Sequence, residues 1–200
     1  MVLFKKILKR AVAVIFTAFV ILVIVRVFHF YNLDKTNKQV AKIHATKLSL
    51  DDVMGKNLPP DPGAEADKTV EGIDANQNGI RDDVELAIFR EYPNSAKTRA
   101  VLLQYALALQ MQAIQKTVNE NIVIAVVQEE GRAYVCIGEI FSRKDLEKFI
   151  KQTDELNSFV EEKQSNTKER INYRETFLDK IGSYSSLDRV CDIDYSILPN

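Results

Sequence analysis

Residues 11–25, AVAVIFTAFVILVIV, are all apolar except for Thr17. A helix that is apolar on every side has no face to give to water. At 1.5 Å per residue, this run of 15 residues covers about 22 Å, which is less than a hydrocarbon core of about 30 Å. Continuing through Arg26 to Tyr31 gives about 21 residues, with the Arg26 head group reaching the far interface. The sequence therefore predicts a transmembrane helix over residues 11–31 that contacts membrane lipid.

Two other interpretations of this run are a cleaved signal peptide and a buried core helix. A signal peptide needs small residues before its cleavage site, but the run ends in Arg-Val-Phe-His-Phe. A core helix of a domain this size normally keeps one polar side, which this run lacks. We therefore expect an uncleaved signal anchor.

The charges around the anchor indicate its orientation. Residues 1–10 carry Lys5, Lys6, Lys9 and Arg10, and basic residues enriched beside a span stay in the cytoplasm. Further basic residues follow the span more sparsely: Lys35, Lys38, Lys42 and Lys47. We expect residues 1–10 to be a cytoplasmic tail, in a single-pass protein of the inner (plasma) membrane with an extracytoplasmic C-terminal domain.

The charge balance limits the classes of partner. The chain has 27 basic and 28 acidic residues, and the part after residue 31 holds 22 basic against 28 acidic. A dedicated nucleic-acid-binding protein normally shows a basic excess, so no nucleic acid partner is expected.

Beyond the anchor, the chain divides into a connecting region and a helical domain. Residues 32–68 are predicted to be a polar stalk and Pro-rich linker, with a capping box at Ser49-Leu-Asp-Asp52, a stop at Gly55 and the sequence LPPDPGAEAD at 58–67. Residues 69–200 are predicted to form a small, mainly α-helical extracytoplasmic domain.

Helical spacing and capping residues place the helices of this domain. Residues 82–92 are predicted to form a helix that Pro93 ends. The next helix, capped by Asn94 or Ser95, is apolar on most sides and is predicted to be the central core helix. A capping box at Ser142-Arg-Lys-Asp145 opens another, and a last helix near 167–181 has Gly182 as its stop. Residues 122–141 fit either a β-hairpin or helical pieces, and we expect helix.

One motif carries a specific binding chemistry. Residues 74–85 read DANQNGIRDDVE, which fits D-x-[DN]-x-[DN]-G-x5-E, the pattern of a calcium loop. The predicted ligands are Asp74, Asn76, Asn78, the carbonyl oxygen of Ile80, Asp82 and Glu85.

The spacing has a physical basis. A hard cation such as Ca²⁺ takes six to eight oxygens at about 2.3–2.6 Å, and alternating short side chains let a curled backbone point three of them inward. Gly79 allows the sharp bend, and Glu85 closes the shell from the following helix. One alternative is an Asn/Gly-rich turn that binds no metal. Another is Mg²⁺, which suits the site less well because it retains its waters. Three formal charges predict modest affinity, about 10⁻⁵ to 10⁻³ M.

Over residues 74–85 only, the chain resembles the EF-hand calcium loop and the isolated loops of thrombospondin type-3 repeats. It departs from paired EF-hands because no entering helix is expected, no second loop exists and Arg81 stands where a hydrophobic residue is usual. The arrangement also resembles uncharacterised bacterial single-pass envelope proteins with a GIDxNxNGIRDDVE stretch. These resemblances imply bound calcium and no particular activity.

The remaining reactive residues are few. Cys136 and Cys191 are the only cysteines, and outside the cell a disulfide between them is expected over two buried thiols. His29 lies at the membrane interface and His44 on the stalk, away from any catalytic dyad. The acidic pairs Glu129/Glu130 and Glu161/Glu162 are interpreted as solvated faces. No nucleophile, zinc or P-loop motif is present, so we do not expect an enzyme.

These observations predict a membrane-anchored protein in which calcium acts as a structural staple of an envelope interaction module. A protein partner is expected, although nothing in the sequence identifies it. The alternatives are a calcium-responsive regulator and a hydrolase that uses carboxylates alone.

Overall fold

The computed structural model describes residues 2–188 and 190–199, and within these ranges the chain is helical, without a β-strand. The α-helices are α1 Val2–Ala45, α2 Leu50–Val53, α3 Asp82–Glu91, α4 Ala96–Ala113, α5 Glu120–Glu139, α6 Leu146–Gln164 and α7 Lys168–Leu178. Two short 3₁₀-helices cover Gly63–Asp67 and Tyr195–Ile197. The mainly α class is confirmed, and residues 122–141 are helical rather than a hairpin through most of their length.

Helix α1 is long and apolar enough to cross a membrane. An 18-residue window has a mean hydropathy of 2.8, and none of that window is buried. The predicted tail and the first part of the predicted stalk are not separate segments, because the helix continues through both. The physical reason is that residues 2–45 contain no glycine or proline that would interrupt the helical hydrogen bonds.

The chain forms two compact units, residues 1–39 and residues 40–200. Residues 40–68 therefore belong to the larger unit, whereas the sequence assigned 32–68 to a stalk and linker. Ile43, Leu48, Val53 and Ala66 are each at most 5% exposed and supply apolar contacts within that unit. These residues are scattered among polar ones, which is why their spacing did not reveal their burial.

Helix α4 is the centre of the larger unit, as predicted. Fifteen of its residues are buried, and it packs against α2, α3, α5, α6 and α7. Its buried glutamines hydrogen-bond to other segments: Gln104 Nε2 donates to the carbonyl oxygen of Val190, and Gln110 Nε2 donates to that of Glu71. These bonds tie the C-terminal segment and the residues before the 74–85 loop to the core helix.

The helix ends follow the predicted caps in part. Ser49 forms a capping box with Asp52, and Ser95 Oγ accepts from the main-chain N–H of Thr98. The predicted Ser142 box is wrong, because Asp145 itself caps α6 by accepting from the Lys148 N–H at 3.1 Å. The predicted stop at Gly182 is also wrong, because α7 already ends at Leu178.

The C-terminal segment is fastened to the helices. Cys136 on α5 and Cys191 form a disulfide with a sulfur–sulfur distance of 2.03 Å, as expected. Leu198 is 9% exposed, and the Lys97 N–H donates to the carbonyl oxygen of Pro199 at 3.2 Å. The C-terminal segment is therefore packed against the domain.

Candidate metal centre

The loop over residues 74–81 is fixed to the core near its end, at Gly79 and Ile80. Ile80 is fully buried, and Gly79 adopts a φ of +84°, which side-chain-bearing residues rarely adopt. A Cβ on Gly79 would also lie 2.8 Å from Cδ1 of Leu107 on α4. Glycine is thus required at position 79 for both conformation and space. Because the Ile80 side chain is buried, only the main-chain carbonyl oxygen of Ile80 is left as a ligand.

Asp74 organises the first half of the loop. Its Oδ1 accepts from the Asn78 N–H at 3.1 Å, and its Oδ2 accepts from the Gly79 N–H at 2.9 Å. Both carboxylate oxygens therefore face the inside of the turn, where the motif requires the first ligand.

Glu85, in the first turn of α3, faces the loop with both carboxylate oxygens. Oε2 accepts from Asn76 Nδ2 and Oε1 accepts from Asn78 Nδ2, each at 3.0 Å. Asn76 Nδ2 also donates to the carbonyl oxygen of Asn57 at 2.9 Å. Glu85 is 1% exposed. The fold thus brings together Asp74, Asn76, Asn78 and Glu85.

Asp82 begins α3 and holds the two ends of the loop together. Its N–H donates to the carbonyl oxygen of Ile73 at 2.8 Å, and both its carboxylate oxygens lie 3.1 Å from the Ala75 N–H. The side chain is occupied by the loop backbone, at a helix N-terminus where negative charge is favoured.

Burial is the largest influence on the pKa values of Glu85 and Asp82. It raises the pKa of Glu85 to about 7, against the lowering effect of the amide groups of Asn76 and Asn78. The charges of Asp52 and Asp82 raise the Glu85 pKa further. The pKa of Asp82 is also raised, mainly by burial. A buried carboxylate with this pKa is only partly ionised near neutrality and gains from any cation that reaches it.

The donor chemistry of the loop suits a hard cation. Among residues 2–188 and 190–199, no three His, Cys, Asp or Glu side chains lie close enough together to hold a metal ion. A shell in this loop would therefore need the amide oxygens of Asn76 and Asn78 beside the carboxylates of Asp74 and Glu85. Each amide oxygen accepts one main-chain N–H and keeps a second lone pair. With oxygen donors alone, the residues fit Ca²⁺ rather than a metal that prefers nitrogen or sulfur.

Arg81 is a structural residue that the sequence analysis did not identify. Its fully buried guanidinium pairs with both Asp83 oxygens, at 2.6 and 2.9 Å, and donates to the carbonyl oxygens of Lys163 and Gln164 at the end of α6. The signal was the replacement of the usual hydrophobic residue at this loop position. Asp83 is consequently neutralised by Arg81 and is not a free negative charge beside the loop.

A second buried acid lies away from the loop. Glu129 is 1% exposed, so the prediction that it lies on a solvated face is wrong. Its carboxylate accepts from Arg132, from Lys47 Nζ at 2.9 Å and from His44 Nδ1 at 2.9 Å. His44 therefore contacts the folded domain instead of standing apart on a stalk. The neighbouring Glu130 is also engaged, because it pairs with Arg174 at 2.6 Å.

Comparisons with known proteins add no further information on this centre. No family model matches the chain, and neither the curated proteins nor the solved structures contain a match to it.

Proposed function

We propose that this chain is a single-pass membrane protein whose extracytoplasmic helical domain binds one calcium ion through residues 74–85. The ion acts as a structural staple that joins the loop to the start of α3. The domain then serves as an anchored interaction module of the envelope. Residues 11–31 contact lipid, and a protein partner binds the domain.

The observation that carries the proposal is the environment of Glu85. A carboxylate that is 1% exposed normally has a cationic partner, because burying a lone charge is costly. Within the described part of the chain, Glu85 forms no ion pair, and its oxygens meet only the amides of Asn76 and Asn78. A divalent cation supplies the missing charge, in a loop whose sequence provides the other oxygens.

The rigidity of the loop favours a staple over a regulator. Ile80 fixes the loop to α4, and Arg81 fixes it to the end of α6. A regulator needs an element with two arrangements that the ligand favours differently. Calcium in this loop would instead stabilise the arrangement that the rest of the domain already holds, by mass action.

Two features support an extracytoplasmic compartment for the domain. Helix α1 supplies an exposed apolar stretch at the N-terminus, and the Cys136–Cys191 disulfide is typical of an oxidising compartment. A calcium site of modest affinity would also be occupied outside a resting cytosol. Protease treatment of intact spheroplasts tests the orientation: digestion of the domain is expected, and full protection would contradict it.

The proposal is tested by calorimetric titration of the full-length chain in lipid nanodiscs with Ca²⁺. We expect saturable heat with a Kd of about 10⁻⁵ to 10⁻³ M, abolished by Glu85→Gln and by Asp74→Asn. Glu147→Gln is the matched control, because Glu147 is an exposed acid in the first turn of α6. Heat that survives both loop substitutions, or no heat in the wild type, would reject the ligand assignment.

The staple and the regulator give different results on the same samples. For a staple, calcium raises the melting temperature and leaves the backbone amide chemical shifts outside residues 57–91 unchanged. Chemical shifts that change in α5 or α6 on calcium addition would favour a regulator.

A further inference from the structure

A groove of about 530 Å³ lies beside α3, between residues of α3, the start of α4 and the segment 54–61. Its apolar wall is formed by Met54, Leu58, Leu86, Phe89 and Pro93. Ligand sites in proteins are commonly apolar clefts of this size that contain a few polar groups to orient the ligand. We call it the Arg99 groove, because Arg99 of α4 lies at its lining.

Arg99 is 7% exposed and only partly satisfied by the protein. Its Nε donates to the carbonyl oxygen of Val53 at 3.1 Å, and its Nη1 donates to the carbonyl oxygens of Tyr92 and Pro93 at 2.8 and 2.7 Å. These bonds use three of the five guanidinium N–H groups. The two N–H groups of Nη2 have no hydrogen-bond acceptor in the described part of the chain.

The charge of Arg99 also lacks a counter-charge. No carboxylate of residues 2–188 or 190–199 lies within ion-pair distance of it, and the pKa of Arg99 is lowered by burial. The guanidinium instead lies over the Phe89 ring, 4.8 Å from its centroid. The one acid in the lining, Asp61, is exposed and accepts from the Gly63 N–H. Arg90 adds a second, exposed cation to the same lining.

We propose that the Arg99 groove binds a small apolar carboxylic acid, with the carboxylate on Arg99 Nη2 and the alkyl chain along the apolar wall. Arginine suits this task because its planar guanidinium presents paired N–H groups to a carboxylate. Charge complementarity argues for an acid over a neutral or cationic amphiphile. None of the residues that line the groove is a predicted calcium ligand.

The methionines provide a direct test in the full-length chain in zwitterionic lipid nanodiscs. Met54 lines the groove, whereas Met111 is 3% exposed in the core of α4 and serves as an internal reference. With methyl-¹³C methionine, titration with octanoate is expected to move the Met54 signal saturably and leave Met111 unchanged. Octanol and octyltrimethylammonium, with the same chain length, are expected to bind at least tenfold more weakly. Equal responses to all three would overturn the proposal, as would no response to octanoate.

Two variants locate the carboxylate. Arg99→Gln is expected to weaken octanoate binding at least tenfold, while Lys97→Gln, which removes a cation elsewhere on α4, leaves it unchanged. Because Arg99 also holds main-chain carbonyls, a second variant keeps that residue intact. Leu58→Glu places an acid in the groove lining at a 42% exposed position, and it should reverse the preference toward octyltrimethylammonium. An unchanged preference in Leu58→Glu would contradict the proposal even if Arg99→Gln does not fold.

Discussion

Glu85 and Glu129 are both 1% exposed and both on helices, but their surroundings differ. Glu129 contacts Arg132, Lys47 and His44, and burial is outweighed so that its pKa lies below the ordinary value. Glu85 contacts two neutral amides, and burial raises its pKa to about 7. Burial alone therefore does not determine the charge of a buried acid. The charge also depends on the partners that the fold brings to the acid. Among the described residues, Glu129 has cationic partners and Glu85 has none.

The largest expected effect comes from removing the cation beside Glu129. Arg132→Leu removes the cation that lies 2.6 Å from Glu129 and 2.7 Å from Asp192, whose side chains are each 1% exposed. Two buried acids then share Lys47 and His44, so we expect a loss of about 5 kcal/mol in the free energy of unfolding. Urea denaturation in nanodiscs measures it. Arg143→Leu, which removes an exposed arginine, should cost under about 0.5 kcal/mol, and similar losses in both variants would contradict the interpretation.

The next largest effect concerns the Cys136–Cys191 disulfide, which lies next to Asp192 in the sequence. Replacing Cys136 and Cys191 by alanine opens a link that spans 55 residues. Loss of the link should destabilise the domain by about 4 kcal/mol in the chain-entropy description. The same denaturation experiment measures it, with wild type in reductant as the control. A loss below about 1 kcal/mol would show that Leu198 and the tail hydrogen bonds hold the segment without the disulfide.

The third effect is a dependence of stability on pH that comes from the ionisation of Glu85. In metal-free protein the folded pKa of about 7 exceeds the ordinary glutamate pKa of 4.5, so the folded state binds this proton more tightly. Stability from Glu85 is therefore fully present below pH 4.5 and is lost as the pH rises through 7. The loss should be on the order of 2–3 kcal/mol. Thermal melts from pH 4.5 to 8 measure it.

Controls separate this effect from other titrating groups. Glu85→Gln should remove the fall in stability, and Glu147→Gln should retain it. Saturating calcium should abolish the fall in the wild type and in Glu147→Gln. A fall of the same size in Glu85→Gln would assign the titration to another group, with Asp82 as the first alternative.

The smallest expected effect comes from adding one negative charge to the loop. Asn78→Asp replaces an amide 3.0 Å from Glu85 with a carboxylate. Without calcium, repulsion should destabilise the domain by about 1 kcal/mol, and calcium affinity should rise about tenfold with the added ligand charge. Melts and calorimetry on the same samples measure both. If stability falls while affinity does not rise, Asn78 is not a ligand.

Local sequence signals predicted much of the fold. The apolar length of residues 11–25, the all-round burial of α4 and the caps at Ser49 and Ser95 follow from neighbouring residues alone. Errors arose where two local signals competed. Ser142 and Asp145 both accept N–H groups near the start of α6, and only the structure shows that the helix begins after the second.

The candidate site was predictable in part for the same reason. The twelve-residue spacing brought Asp74, Asn76, Asn78 and Glu85 together because the loop is local. The contacts of Glu129 with Lys47 and His44 were not predictable, since His44 lies 85 residues from Glu129 in the sequence. The role of Arg81 likewise depends on carbonyls of Lys163 and Gln164, which no pattern near residue 81 reveals.

The fastening of the C-terminal segment has a practical consequence for limited proteolysis. Residues 179–188 lie between α7 and Cys191 without a regular helix, and Lys180 is exposed there. A tryptic nick at that point would leave the piece that carries Cys191 covalently attached to α5 through Cys136. Such a protein would migrate as one band on a gel until a reductant released the shorter fragment.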